Sequence, residues 1–121
     1  MLSLPPSVRV FVATMPVDMR RGFDTLAQMA RTVFDQDPLS GHLFVFWSRR
    51  RDRVKILHWD RDGLALWYKR LEEGSFRFRE DASGGMELSV PDLMLVLDGV
   101  DLSTVKRSRR YKRPPSKEAP A

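Results

Sequence analysis

Six short segments of the chain are rich in β-forming residues, and most of them also show the alternation of apolar and polar side chains that is typical of strands. They are residues 8–13, 42–47, 53–60, 64–71, 76–80 and 86–90. The 64–71 segment also fits a helix, but the Asp62–Gly63 and Glu73–Gly74 turn pairs on its two sides favour a strand. The pattern therefore predicts a protein built mainly on a β-sheet.

Two further segments have helical periodicity. From about residue 19 to 34, apolar side chains recur at spacings of three and four, which places a hydrophobic stripe along one side of a helix. Asp18 is the predicted N-cap of this helix, although Gly22 inside the segment also allows a later start. A second helix is predicted over 90–98, with Ser89 as its cap.

These elements predict an α+β fold, in which one long and one short helix cover the same face of an antiparallel, mostly meander sheet of about five strands. The 42–47 strand is apolar on both faces and is therefore expected at the centre of the sheet. Because only two helices are available, one face is expected to stay partly uncovered. Such a face would pair with a second copy, most simply as a twofold dimer, or with a partner.

Charge divides the chain into two parts. Residues 106–121 hold seven of the 21 Lys and Arg residues and one of the 16 acidic residues. The first 105 residues hold 14 basic and 15 acidic residues and are therefore nearly neutral. Since the basic segment is poor in apolar side chains and contains three prolines, we predict a single α+β domain over 1–105 and a disordered basic tail over 106–121.

Composition excludes several classes of protein. The chain has no cysteine, which excludes a disulfide scaffold, thiol catalysis and Cys-ligated metal sites. No apolar run reaches the roughly 18 residues of a membrane helix, and the first residues do not have the pattern of a signal peptide. We therefore expect a cytoplasmic protein with no membrane partner.

Catalytic chemistry has few candidates in this sequence. The two histidines, His42 and His58, fall in predicted strands, where a structural role is the simpler interpretation. Pairs of aspartates are the candidates for holding a divalent ion. The pairs are Asp18 with Asp24 and Asp60 with Asp62. The second pair flanks a predicted turn, where aspartate is expected from turn geometry alone. We predict no catalytic residue, no metal, no cofactor and no enzymatic activity.

Clustered basic residues give the stronger signal. Five positive charges lie between Arg49 and Lys55, at a predicted hairpin tip beside Trp47 and Trp59. Guanidinium groups placed in this way can contact phosphates or stack on rings, and a cationic tail gains affinity by releasing counterions. The predicted nucleic-acid contacts are Arg49, Arg50, Arg51, Arg53, Lys55, Lys106, Arg107, Arg109, Arg110, Lys112 and Arg113. The alternatives are a solvated hairpin tip that prevents edge-to-edge aggregation and a solubilising or protein-binding tail.

An ordered set of segments across residues 5–105 resembles one protein family. These segments are VRVFVAT, DMRRGFDTLA, SGHLFVFWSRRRDRVKILHWDRDGLALWYKRLEEGSFRF, MELS and LDGVDLS. The chain is similar to the TnpB or Orf2-like accessory proteins of IS66-type bacterial insertion sequences. The resemblance implies a protein that is co-encoded with a separate transposase, is needed for transposition and has no established catalytic activity. RNA-guided nucleases that share the name TnpB are several times longer and carry acidic and zinc motifs that this sequence lacks.

Two functions remain compatible with these observations. In the first, the hairpin and the tail bind DNA and hold element ends or target DNA for the transposase. In the second, the neutral body is a protein adaptor that bridges or regulates the transposase without binding DNA directly. Segregated charge favours the first function, and the lack of a recognition-helix motif favours the second. The expected partners are DNA, through phosphate contacts, and the co-encoded transposase proteins.

Overall fold

The computed structural model describes residues 5–103 and has the predicted α+β fold. Its elements are, in chain order, β1 (Val10–Ala13), α1 (Phe23–Phe34), β2 (Leu43–Trp47), β3 (Arg53–Asp60), β4 (Gly63–Arg70), β5 (Gly85–Leu88) and α2 (Val90–Leu97). The predicted tail over 106–121 lies outside the described residues, so its disorder and the domain limit at residue 105 stay predictions.

The five strands form one sheet in the order β4-β3-β2-β1-β5. Strands β2, β3 and β4 are an antiparallel meander, and β5 is antiparallel to β1. The β1–β2 pair is parallel, because α1 carries the chain across the sheet between them and returns it to the same end. The predicted mostly antiparallel sheet is confirmed, with this one helical crossover as the difference.

Strand β2 lies at the centre of the sheet and is buried at all five positions, as its sequence predicted. Alternate side chains enter two separate cores. On one face Val45 and Trp47 pack beneath α2, and on the other Phe44 and Phe46 pack beneath α1. The prediction that both helices cover one face is therefore wrong: a strand that is apolar on both faces needs cover on both. The uncovered face that suggested a dimer is absent at β2, and the homodimer remains an untested prediction.

The start of α1 differs from the predicted one. The helix begins at Phe23, and its N-cap is Gly22, which offers no side-chain oxygen. The Asp18 carboxylate instead accepts a hydrogen bond from the Arg20 backbone nitrogen at 2.9 Å and pairs with the Arg20 guanidinium. Asp18 is therefore not the cap, because it closes a local turn four residues before the N-cap Gly22.

The second helix begins as predicted. The Ser89 hydroxyl accepts a hydrogen bond from the Asp92 backbone nitrogen at 3.1 Å, which satisfies one of the amides that have no partner within the helix.

The 76–80 segment is not a strand. Phe76 and Phe78 are buried against the core beneath α2, and the Phe78 ring stacks on Trp47 with 6.1 Å between ring centroids. The alternation of phenylalanine and charge predicted a strand, but here it reflects a segment that covers one face of the sheet. Its backbone is held by Arg51, whose carbonyl accepts from the Phe76 nitrogen at 2.7 Å, and not by a neighbouring strand.

A candidate nucleic-acid interface at the basic end of the sheet

The turn between β2 and β3 is closed by its own polar groups. The Ser48 carbonyl accepts from the Arg51 nitrogen at 2.8 Å, and the Ser48 hydroxyl accepts from the Arg53 nitrogen at 3.1 Å. Arg49 and Arg50 occupy the positions between them and are exposed. Within the described part of the chain neither of their side chains has a hydrogen bond or an ion pair. The turn therefore presents two uncompensated positive charges on a fixed backbone.

Arg51 lies in the same turn but faces inward. Its Nη1 donates to the Phe78 carbonyl at 2.7 Å, and its Nη2 bonds Glu80 Oε1 at 2.8 Å. The guanidinium carbon also lies 4.6 Å from the centroid of the Trp47 ring. Arg51 therefore attaches the 76–80 segment to the β2–β3 turn. Its guanidinium is already paired with acceptors inside the protein.

Lys55 is also turned inward, toward the loop before α1. It is buried, and its Nζ donates to the backbone oxygens of Met19 at 2.6 Å and Arg21 at 2.8 Å. The same ammonium lies 4.7 Å from the centroid of the Tyr68 ring. The sequence grouped Lys55 with the phosphate contacts. In the structure its ammonium is hydrogen-bonded within the fold, so we do not include Lys55 in the interface.

Arg53 lies directly opposite Arg70 in the antiparallel β3–β4 pair. Arg70 bonds Glu72 at 3.0 Å, whereas the Arg53 side chain has no partner among residues 5–103. Sequence reasoning missed Arg70. The signal was available: the short turn between Asp60 and Gly63 fixes the register, and counting back along both strands brings the two arginines together. Arg49, Arg50, Arg53 and Arg70 form what we call the basic end surface.

The remaining sequence candidates have structural roles. His42 Nδ1 accepts from the Arg9 backbone nitrogen at 3.0 Å, and His58 is buried in β3. Trp47 is fully buried, and its indole nitrogen donates to the Ala13 carbonyl. Hydrogen bonds from the Arg20 guanidinium and backbone nitrogen hold the pKa of Asp18 well below its usual range. No group of three or more potential metal ligands is found in the part of the chain that the structure describes.

Six of the predicted contacts cannot be located in the structure. They are Lys106, Arg107, Arg109, Arg110, Lys112 and Arg113, and all of them lie outside the described residues. Over residues 5–103, no helix has the length and apolar character needed to cross a bilayer.

Comparisons with known proteins point to one family. The family model described as IS66 Orf2 like protein matches residues 8–107. An uncharacterized protein of Sinorhizobium fredii, y4jC, is 38% identical over 107 residues, which cover 88% of this chain and 91% of the relative. A second uncharacterized protein of the same organism, y4hO, is 38% identical over 101 residues, which cover 84% of this chain and 88% of that relative. No solved structure matches the chain.

Proposed function

The chain belongs to the IS66 Orf2-like family of transposition-associated accessory proteins, and from this premise we propose that it binds DNA for the element's separate transposase. Contact is made through the basic end surface together with the 106–121 segment. The role is non-catalytic, and the protein uses no cofactor.

The observation that carries this proposal is the uncompensated charge at one end of the sheet. Arg49, Arg50 and Arg53 have no acidic partner among the described residues, and Arg70 extends the same surface along β4. Arginine presents several donors in a planar fork that fits phosphate oxygens. Because the β2–β3 turn is closed by the Ser48 hydrogen bonds, a phosphate that binds there has to order the arginine side chains but not the backbone.

The 106–121 segment supplies further charge for the same partner. It holds seven basic residues and one acidic residue, and affinity from such charge is sequence-independent and depends on salt. We therefore expect the protein to bind DNA of many sequences through its phosphates. Any preference for element ends would come from DNA shape or from the transposase.

The experiment is a titration of the purified protein with an element-end duplex and a random duplex at several salt concentrations, alone and with transposase. The double variant Arg49→Gln with Arg50→Gln is compared with Arg31→Gln with Arg61→Gln, which removes the same charge from exposed positions elsewhere. The first pair should make the salt slope shallower by about 0.9 for each phosphate that the protein no longer neutralises, and the control pair should not.

Two results would overturn DNA binding as the function. One is the absence of salt-dependent binding, with or without transposase, and the other is an equal loss in both double variants. An intact protein that binds transposase but not DNA would then be an adaptor that acts through protein contacts alone.

A further inference from the structure

Tyr68 is a large aromatic side chain left in solvent beside the basic end surface. It lies on β4, and 48% of its surface is exposed. Lys55 is its cross-strand neighbour, and the Lys55 ammonium lies over one face of the ring at 4.7 Å from the centroid. Such a ring, which the cation holds in place and which is half exposed, offers accessible aromatic surface to a second flat group.

Two arginines, Arg53 and Arg70, share this face of the sheet. In the β3–β4 register, Lys55 pairs with Tyr68 and Arg53 pairs with Arg70, so the four side chains occupy two consecutive positions of one face. Two like charges directly opposite each other destabilise a sheet unless a counterion lies between them. Arg70 is partly compensated by Glu72, whereas Arg53 has no partner in the described chain. The arrangement places an exposed aromatic ring beside a site that favours an anion.

We propose that Tyr68 is a stacking platform for an unpaired base of DNA, while Arg53 and Arg70 hold the adjoining phosphates. This inference rests on the proposed function and adds a preference for single-stranded over double-stranded DNA. In a duplex both faces of each base are already stacked, so the tyrosine gains nothing there. An unpaired base has a free π-face, and stacking on an aromatic side chain is tolerant of sequence.

Glu72 competes with a phosphate for Arg70. Its carboxylate bonds the Arg70 guanidinium at 3.0 Å, and both side chains are largely exposed. A bound strand therefore has to displace this carboxylate. Replacing it by an amide, Glu72→Gln, removes the negative charge from the surface and should strengthen binding to single strands.

The test measures dissociation constants for an unstructured oligothymidine and for a duplex of the same length at one salt concentration. The variants are Tyr68→Leu, which keeps apolar volume but cannot stack, and Tyr68→Phe and Tyr68→Trp, which keep a ring. The control is Leu39→Ala, at a side chain with 47% exposure elsewhere on the protein. Tyr68→Leu should weaken single-strand binding about fivefold or more and duplex binding less than twofold, while the ring variants and the control stay near the intact protein.

The salt series separates this inference from the proposed function. Stacking releases no counterions, so Tyr68→Leu should leave the salt slope unchanged, whereas Arg49→Gln with Arg50→Gln should reduce it. Unchanged single-strand affinity in Tyr68→Leu, or an equal loss on duplex, would overturn the stacking platform and leave the phosphate contacts standing. Loss of transposase binding without loss of DNA binding would assign Tyr68 to a protein contact instead. Thermal unfolding of each variant confirms that the comparison is made between folded proteins.

Discussion

Lys55 donates a hydrogen bond from Nζ to the backbone oxygen of Met19 at 2.6 Å, and so ties β3 to the loop that leads into α1. The same ammonium bonds the Arg21 carbonyl at 2.8 Å. The helix that follows begins at an N-cap glycine, Gly22, without a side-chain cap. A cation from the sheet therefore fixes the loop before α1 through two carbonyl oxygens of that loop.

We expect Lys55→Met to lower the free energy of unfolding by about 2 kcal/mol, because the variant lacks the hydrogen bonds of a charged group and leaves two carbonyls beside the core without their donor. Urea unfolding of the variant and the intact protein measures this difference. The salt slope of DNA binding should stay as it is in the intact protein. A shallower salt slope in Lys55→Met, together with unchanged stability, would show that Lys55 contacts DNA.

Arg51 should also be more important for stability than for DNA binding. Its guanidinium bonds the Phe78 carbonyl and the Glu80 carboxylate and covers Trp47, so Arg51→Gln removes the attachment of the 76–80 segment. We expect stability in chemical denaturation to fall by about 1–3 kcal/mol. The neighbouring Arg50→Gln is the matched control and should change stability by less than about 0.5 kcal/mol. Equal stability of the two variants would contradict this role.

Asp81 makes the free energy of unfolding depend on pH in the acidic range. The Ser83 hydroxyl and backbone nitrogen donate to its carboxylate, and these hydrogen bonds lower the pKa of Asp81 to about 2. Because the folded state favours the charged form, the stabilisation is present above the ordinary carboxyl pKa near 4 and is lost as the pH falls toward 2. In Asp81→Asn the difference in unfolding free energy from the intact protein should therefore shrink between about pH 5 and pH 2. A difference that is constant with pH would show that the charge of Asp81 contributes nothing.

Local signals in the sequence were sufficient for most of the elements. The Ser89 cap, the central position of β2 and the bounds of β3 follow from neighbouring residues and were predicted correctly. The parallel β1–β2 pair was missed, because strand direction depends on the crossover of α1 and not on any residue within the strands.

The candidate site was harder to predict, because charge along the chain does not show which charges are already compensated. Arg51 and Lys55 belong to the same basic run as Arg49 and Arg50. The acceptors of Lys55, at Met19 and Arg21, are more than 30 residues away, and those of Arg51 are nearly as distant. Only the folded chain shows that two of the five cations face the interior.

Deleting residues 106–121 should weaken DNA binding and leave the stability of the folded domain nearly unchanged. The segment has few apolar side chains to bury, so we expect the free energy of unfolding to change by less than about 1 kcal/mol. Its seven basic residues should nevertheless contribute to DNA affinity, and their removal should weaken binding to element-end and random duplexes alike. Thermal unfolding and the salt series together measure both effects.

The size of the change in salt slope shows how many phosphates the segment neutralises, since each neutralised phosphate of duplex DNA contributes about 0.9 to the slope. If the segment and the β2–β3 turn bind different phosphates, the deletion combined with Arg49→Gln and Arg50→Gln should reduce the slope by the sum of the separate changes. A combined change no larger than that of the deletion alone would mean that the turn binds no phosphate of its own. A deleted protein with lower stability and an unchanged slope would show instead that the segment packs against the body, and the body alone would then account for DNA binding.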